Sequence, residues 1–461
     1  MPLAGSALAS LQDRFRGELI LPGDARYDER RAVWNGAIDR RPSLIARCSG
    51  ARDVQEAVRF ARERELLVSV RGGGHNVAGL AVWDDALMID LSPLRTVHVD
   101  PRRRVARAYG GALWGDYDHE TQAYGLASPG GLNSTTGIAG FTLGGGFGWL
   151  SRTYGLACDN LLEADVVTAE GETVRAAPDE NPELFWGLRG GGGNFGIVTS
   201  FEYELHPVGP DVLAGILFYR EEQIPEVLRL VRELGPAAPR EVFVGATLRV
   251  APPVPFLPVD VHGTKVLGVG AFFAGDVEAG ARALESLRDA VEPVADTIRV
   301  RPYTEWQQVL DASWTAGFDN YWKAEYLADL PEEAIDTIAA SFHELSSPLS
   351  DIKLSALGGA AIADVAPGDS AYTHRRAPFI LNINTRWDDG DAERHVEWTR
   401  ALWEAMRPFS AGGVYVNFLG QEGAGRVLEA YGPEKYERLV ALKREYDPTN
   451  FFRINQNIPP T

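Results

Sequence analysis

The chain has 461 residues, of which 45% are hydrophobic and 24% charged, and its net charge is −19. This composition excludes a wholly disordered chain, and at roughly 150 residues per domain the length predicts two or three domains. The acidic balance argues against a nucleic acid partner, because phosphate recognition needs clustered lysine and arginine. No apolar run approaches the roughly 18 residues of a membrane span. The N-terminus also lacks a signal peptide pattern, so we expect a cytoplasmic protein without a membrane partner.

Cysteine and histidine spacing gives no support to a metal site. Cys48 and Cys158 form no CxxC pair, and the eight histidines show no HExxH-like spacing. One disulfide is possible, but two cysteines do not imply a disulfide framework. We therefore predict that the protein holds no metal.

The first part of the chain alternates short strands with helices. Val54, Ala57, Val58 and Ala61 recur at helical spacing after Asp53, and Glu170-Gly171 predicts a hairpin turn. We predict helices over 27–37, from Asp53, over 113–124 and over 180–188. We predict strands ending near Arg47 and over 66–70, 86–91, 95–100, 106–111, 164–169, 172–176 and 197–205.

From about residue 208 the predicted elements are longer. Strands are predicted over 212–219, 242–250, 265–275, 379–387 and 414–419. Helices are predicted over 224–234, 276–291 and 392–406, and a last helix from Pro433 to Asp447-Pro448. This order favours an antiparallel sheet with helices on one face, an α+β layer.

Many of the 49 glycines fall in three clusters, Gly72–Gly74, Gly130–Gly148 and Gly190–Gly196. Glycine turns expose successive backbone N–H groups that bind anions, so a pyrophosphate can be held without lysine. Three such cradles indicate a long ligand with a central diphosphate, of which FAD is the commonest. The alternative is that the glycines only make tight turns. A GxGxxG match at 191–196 is followed by a strand pattern rather than a helix, which argues against a dinucleotide fold of the Rossmann type.

Five segments together resemble the berberine-bridge-enzyme-like flavoprotein oxidases of the wider vanillyl-alcohol-oxidase family. They are RGGGHNVAG (71–79), PGG (129–131), TGIAGFTLGGGFGWLSRTYGLACDNLLEADVVTA (136–169), RGGGGNFGIVTSFEYEL (189–205) and YDPTNFFRINQNIPP (446–460). The resemblance implies an α+β fold with a two-lobed PCMH-type FAD-binding domain over 1–207 and its core at about 38–207. A substrate domain over 208–410 would carry an antiparallel sheet covered by helices. A C-terminal segment, 411–461, would return to the FAD domain.

The resemblance also implies which residues hold the cofactor. His75 would carry FAD through an 8α-histidyl bond. Asn133 stands where many relatives have a second, cysteinyl link, so a single link is expected, and we interpret Cys158 as a buried structural thiol. The further cofactor-binding residues implied are Arg71, Gly72, Gly73, Gly74, Asn76, Gly79, Pro129, Gly130, Thr136, Gly137, Gly140, Gly145, Gly146, Tyr154, Gly155, Asp159, Asn160, Gly196, Ile197, Val198, Asn417, Asn455 and Asn457.

Two catalytic residues follow from the same resemblance. Tyr415, in a YxN motif, would act as the base, although a phenol with an ordinary pKa near 10 needs help at neutral pH. Asp364 would assist it from a strand over Gly358–Asp364. The alternatives are a core aromatic residue at Tyr415 and a solvated loop carboxylate at Asp364.

The function implied is that of an FAD-dependent oxidase. It would transfer a hydride from a small alcohol, sugar, amine or natural-product intermediate to covalently bound flavin, and O2 would reoxidise the flavin to give H2O2. Thr136, where relatives control access of O2, leaves open a flavin-dependent oxygenase or dual oxidase of secondary metabolism. The third hypothesis is a flavin-binding protein without catalytic activity. Two interpretations are open for four of the tryptophans, which either line a substrate pocket or belong to the core: Trp149, Trp314, Trp322 and Trp387. No motif encodes the substrate or the oligomeric state.

Overall fold

The structure of the protein is a computed structural model that describes residues 5–461. In the first part of the chain its strands are β1 (Glu18–Ile20), β2 (Leu44–Arg47), β3 (Val68–Arg71), β4 (Leu87–Asp90), β5 (Val97–Asp100), β6 (Val105–Tyr109), β7 (Leu126–Ala127), β8 (Leu161–Val167), β9 (Thr173–Ala176), β10 (Ile197–Glu204) and β11 (His206–Pro207). The helices there are α1 (Gly5–Gln12), α2 (Tyr27–Arg31), α3 (Ala51–Glu63), α4 (Trp114–Gln122), α5 (Ile138–Leu143), α6 (Ser151–Tyr154) and α7 (Pro182–Leu188).

These strands build two main sheets. The first has the order β1-β2-β4-β3, in which β4 runs parallel to both β2 and β3. Helix α3 connects β2 to β3 and buries the predicted apolar face, which includes Val54 and Val58. The second sheet is antiparallel with the order β5-β6-β10-β8-β9, and β7 pairs separately with β11. Two sheets within this part of the chain agree with the two lobes that the sequence implies.

The second part of the chain forms one large antiparallel sheet. Its strands are β12 (Asp211–Arg220), β13 (Val242–Val250), β14 (Lys265–Phe273), β15 (Ala295–Asp296), β16 (Arg299–Pro302), β17 (Asp319–Leu327), β18 (Asp351–Ala356) and β19 (Phe379–Trp387). The order is β15-β12-β14-β13-β18-β19-β17, and β16 pairs with β12. The helices are α8 (Ile224–Ala237), α9 (Val277–Asp289), α10 (Tyr303–Gln307), α11 (Glu332–His343), α12 (Ala360–Asp364) and α13 (Ala392–Met406), followed by α14 (Ala424–Tyr431) and α15 (Pro433–Tyr446).

Alternation along β18 and β19 gives this sheet two different faces. Ile352 and Leu354 on β18, and Leu381 and Ile383 on β19, belong to one hydrophobic core with residues of α8, α9, α11 and α13. Successive side chains of a strand point to opposite faces. The other face of these strands therefore carries the intervening residues, including Lys353, and it is free of the helical layer.

Three predicted elements differ from the structure. The helix predicted over 27–37 ends at Arg31, because Trp34 and Asn35 are held by distant partners: the Trp34 indole donates to the Trp314 carbonyl and the Asn35 amide to that of Asn320. The strand predicted over 414–419 is a 3-10 turn, Val416–Phe418. The strand predicted over Gly358–Asp364 is helix α12.

Within residues 5–461 we find no helix with both the length and the hydropathy needed to span a membrane.

Candidate active site

A cavity of about 340 Å³ lies where the glycine turns of the first part of the chain meet the polar face of the large sheet. Members of all three glycine clusters line it, together with β18, β19 and the segments 415–418 and 452–456. The predicted site residues that line it are Gly72, Gly73, Gly74, His75, Asn76, Thr136, Gly137, Gly140, Gly196, Ile197, Val198, Tyr415, Asn417 and Asn455. One continuous wall thus joins residues more than 300 positions apart in the sequence.

Glycine is required in this wall for two different reasons. Gly73 and Gly137 approach each other closely, and a Cβ built on Gly73 would lie 2.5 Å from the Gly137 backbone. At Gly140 and Gly193 a Cβ would meet nothing within 4 Å, although both residues line the cavity. A side chain at these two positions would therefore occupy cavity space, as expected of backbone that a ligand approaches.

His75 lies on the cavity wall directly after the first glycine cluster. Its ring stacks on Trp34, with ring centroids 5.4 Å apart and planes 20° from parallel. Burial lowers the pKa of His75 from 6.5 to about 4. The imidazole is therefore neutral at physiological pH and keeps the nitrogen lone pair that a covalent bond to carbon requires.

Tyr415 and Asn417 reach the same wall from the C-terminal segment. Tyr415 is 2% exposed, and its hydroxyl oxygen accepts hydrogen bonds from the Gly146 N–H and the Asn417 amide, both at 2.9 Å. The Asn417 amide also donates to the carbonyl oxygen of Phe141. Burial raises the pKa of Tyr415 above its usual 10, while the two donated hydrogen bonds oppose that shift. The 3-10 turn at 416–418 lies at the cavity, and both side chains line it.

Asp364 lies elsewhere. It ends α12, its side chain is 62% exposed, and it forms an ion pair with Arg240 at 2.8 Å. It does not line the cavity. Since α12 replaces the predicted strand, the carboxylate points to the surface, and we assign it no catalytic role.

The other predicted cofactor residues do not line this cavity. Among them, Asp159 is buried in an ion pair with Arg375, with both Nη atoms within 2.8 Å of its oxygens. Tyr154 stacks on His206, with centroids 4.0 Å apart. The predicted residues outside the lining are Arg71, Gly79, Pro129, Gly130, Gly145, Gly146, Tyr154, Gly155, Asp159, Asn160 and Asn457. The contacts of Asp159 and Tyr154 are structural and support the turns that form the wall.

The large sheet contributes residues to the cavity that were not predicted from the sequence. Lys353 and Ser355 of β18 and Asn382 of β19 line the cavity, and Lys353 lies directly opposite Asn382 in the strand register. Alternation of polar and apolar residues along 351–356 is the signal that marks this face. Of the four tryptophans considered for a pocket, Trp314 and Trp322 line the cavity, whereas Trp149 and Trp387 do not.

Lys353 is the charged side chain of this wall. Its ammonium lies 3.6 Å from the ring centroid of Trp314, a cation–π contact. The pKa of Lys353 is lowered from 10.5 to about 8, mainly by burial; nearby Asp351 opposes this shift and Arg249 adds to it. The ammonium form therefore still predominates at neutral pH.

Several buried polar atoms of the wall have no partner within the described part of the chain. They are the side-chain oxygens of Asn133, Asn382 and Asn455 and the indole nitrogen of Trp322. Buried polar groups are almost always hydrogen-bonded. Polar residues beside open glycines make a wall that suits a flat, heteroatom-rich cofactor such as FAD.

Comparison with known proteins agrees with this geometry. A family model described as an FAD binding domain matches residues 42–177, and one described as berberine and berberine like matches residues 414–459. The (R)-6-hydroxynicotine oxidase of Paenarthrobacter nicotinovorans is 35% identical over 96% of this chain and 97% of its own length.

This chain belongs to the berberine-bridge-enzyme-like FAD-linked oxidoreductases. The solved structure of 6-hydroxy-D-nicotine oxidase from Arthrobacter nicotinovorans aligns with this oxidoreductase at a TM-score of 0.87 and 31% identity, covering 97% of this chain and 98% of that one. The BBE-like 1 protein of Physcomitrella patens shares the fold at a TM-score of 0.88 and 22% identity, covering 99% of both chains. The predicted PCMH-type α+β fold and the predicted FAD-dependent oxidase class are confirmed.

Proposed function

We propose that this oxidase removes a hydride from a small organic substrate and passes the electrons to O2, with FAD attached through a single bond to His75. The observation that carries the proposal is the single cavity that joins the three glycine clusters, His75 and Tyr415. In this scheme residues 1–207 and 411–461 hold FAD, and residues 208–410 form the substrate side. Cytoplasmic location stays a prediction of the sequence.

The glycine turns would hold the cofactor and His75 would anchor it. FAD, when bound, supplies the hydride acceptor. Open backbone at Gly140 and Gly193 leaves room for its close approach, and N–H groups in such turns suit a diphosphate. The neutral imidazole of His75, kept in place by stacking on Trp34, is the nucleophile available for the bond. Asn133 cannot make a second link of the cysteinyl type.

Tyr415 is the residue that we propose to meet the reacting O–H or N–H of the substrate. Its oxygen accepts two hydrogen bonds, from Gly146 and Asn417, which stabilise negative charge on that oxygen. Because burial raises the pKa of Tyr415, the phenol is mostly protonated at neutral pH. Its action as a base is therefore expected to increase as the pH rises.

Acid precipitation of the purified protein tests the covalent bond. Yellow colour should stay with the precipitate of the native enzyme, and His75→Ala should release it to the supernatant while the undenatured variant still binds FAD. Colour that remains in the His75→Ala precipitate would show that another residue makes the bond. Release of H2O2 during a screen of alcohol, sugar and amine donors then tests the oxidase reaction.

A further inference from the structure

The charged residues of the cavity wall have one sign. Of the residues that line it in the described chain, Lys353 carries a positive charge and none is aspartate or glutamate. His75 is kept neutral by burial. A cationic substrate would therefore meet a like charge and no counter-ion, whereas an anionic oxygen would meet a counter-ion.

The ammonium of Lys353 is available to a ligand. It makes no hydrogen bond or ion pair with any residue of the region 5–461. The nearest charges from the same and the neighbouring strand are Asp351 and Arg249. Asp351 already accepts a hydrogen bond from Asn384 at 2.7 Å, and Arg249 donates to the Ser313 hydroxyl at 3.0 Å. Neither Asp351 nor Arg249 lines the cavity, whereas Lys353 does.

An aromatic cluster adjoins this charge through Trp314. Trp314 lies under the ammonium, stacks on Trp34 at 5.9 Å and meets Trp322 edge to face at 5.3 Å. Phe418 continues the cluster, 5.8 Å from Trp322 and 4.8 Å from Tyr415. A planar aromatic ring fits such walls, since aromatic pairs prefer offset-stacked or edge-to-face contacts. The cluster therefore continues from Trp314, beneath Lys353, to Phe418 beside Tyr415.

We propose that Lys353 determines substrate specificity by binding an anionic or acidic oxygen on an aromatic substrate, such as a carboxylate or a phenolate. The opposite end of that substrate would present the oxidised carbon beside Tyr415. Asn382, opposite Lys353 in the register, also lines the cavity and would offer its side-chain amide to a second polar group of the ring. This inference rests on the proposed function, and it disfavours substrates whose only charge is an ammonium group.

Benzoate is a suitable probe, since it is an aromatic anion at every pH used. We would titrate the flavin-loaded enzyme with benzoate, with its neutral isostere benzamide and with the cation benzylamine, following flavin absorbance and tryptophan fluorescence. Benzoate should bind about tenfold or more tightly than benzamide, as expected for a hydrogen bond to a charged group. Benzylamine should bind most weakly. Equal affinities for the three probes, or a preference for benzylamine, would overturn the proposal.

Substitution separates charge from shape. Lys353→Met should weaken benzoate binding about tenfold or more and leave benzamide binding nearly unchanged, and Lys353→Arg should restore much of the benzoate affinity. Lys265→Met is the matched control, because Lys265 is also a strand lysine over an aromatic ring, Phe342, but lies outside the cavity. It should bind benzoate like the native enzyme. A Lys353→Met enzyme with native benzoate affinity would contradict the assignment.

The pH dependence gives an independent readout. The pKa of Lys353 is about 8, so its positive charge decreases as the pH rises through that value. Benzoate affinity should therefore fall between pH 7 and 9.5 in the native enzyme and stay flat in Lys353→Met. If the purified protein holds no flavin, the proposed function fails, and tryptophan fluorescence still reports on the probes. If the purified protein is yellow but binds the charged and neutral probes with equal affinity, the proposed function stands and only the role of Lys353 fails.

Discussion

Gly73 and Gly137 face each other backbone to backbone across the cavity wall, and a Cβ on Gly73 would come within 2.5 Å of the Cα and N of Gly137. The contact joins the turn that carries His75 to the turn before α5. It sets the position of both cradles relative to each other, and it depends on the absence of two side chains.

Gly73→Ala should therefore separate these two turns. We expect a loss of stability of about 1–3 kcal/mol, the usual effect of overpacking, together with a lower flavin content. Thermal unfolding and the ratio of flavin to protein absorbance measure the two effects. Gly140→Ala is the control for stability, because its Cβ would meet nothing within 4 Å. A Gly73→Ala protein with native melting temperature and flavin content would contradict the role of this contact.

Tyr415→Phe should slow reduction of the flavin by about 100-fold, the range of a lost acid–base group. Because the pKa of Tyr415 lies above 10, the native rate should increase with pH up to the alkaline limit of stability, and the variant should lose that dependence. Anaerobic stopped-flow bleaching of the flavin with an active donor measures both.

Two controls accompany this variant. Tyr303→Phe removes a buried hydroxyl that has no partner in the described chain, and Asp364→Asn removes the exposed carboxylate paired with Arg240. In both variants the rate of flavin reduction should stay within about twofold of the native rate. A large loss in Asp364→Asn would restore the catalytic role expected from the sequence.

Ionisation of Asp118 should lower the free energy of unfolding as the pH rises. It lies on α4, is 2% exposed, and its partner is the Gln307 amide of α10 at 2.9 Å. Burial raises the pKa of Asp118 from 3.8 to about 7. The folded state therefore holds a proton that the unfolded state releases, so the free energy of unfolding should decrease from about pH 4 to pH 7 and change no further above it.

Asp118→Asn should remove this loss. The asparagine oxygen can still accept a hydrogen bond from the Gln307 amide. At pH 8 we therefore expect the free energy of unfolding of the variant, measured in urea, to exceed that of the native protein by on the order of 1 kcal/mol or more. At pH 4.5 the difference should shrink. The surface variant Asp364→Asn should stay within about 1 kcal/mol at both values. Equal stability of native protein and Asp118→Asn at pH 8 would show that Asp118 is not destabilising when ionised.

The sequence by itself determined the cofactor side of this enzyme. Glycine clusters and a histidine directly after one of them are local features, and backbone freedom with N–H cradles is a property of short segments. For the same reason β10, β19 and α13 could be placed from periodicity alone. Motif resemblance then linked residues 71–79 to the C-terminal segment, which local patterns cannot do.

Only the tertiary structure decided the substrate side. Along 351–356 the polar residues have the spacing of a solvent-facing strand, and nothing local shows that the face of Lys353 closes a cavity. The 3-10 turn at 416–418 and helix α12 replace predicted strands, because long-range contacts override weak local preference. Gly140 lines the cavity and Gly146 does not, although both belong to the same glycine cluster. This difference depends on which neighbours fold against each glycine.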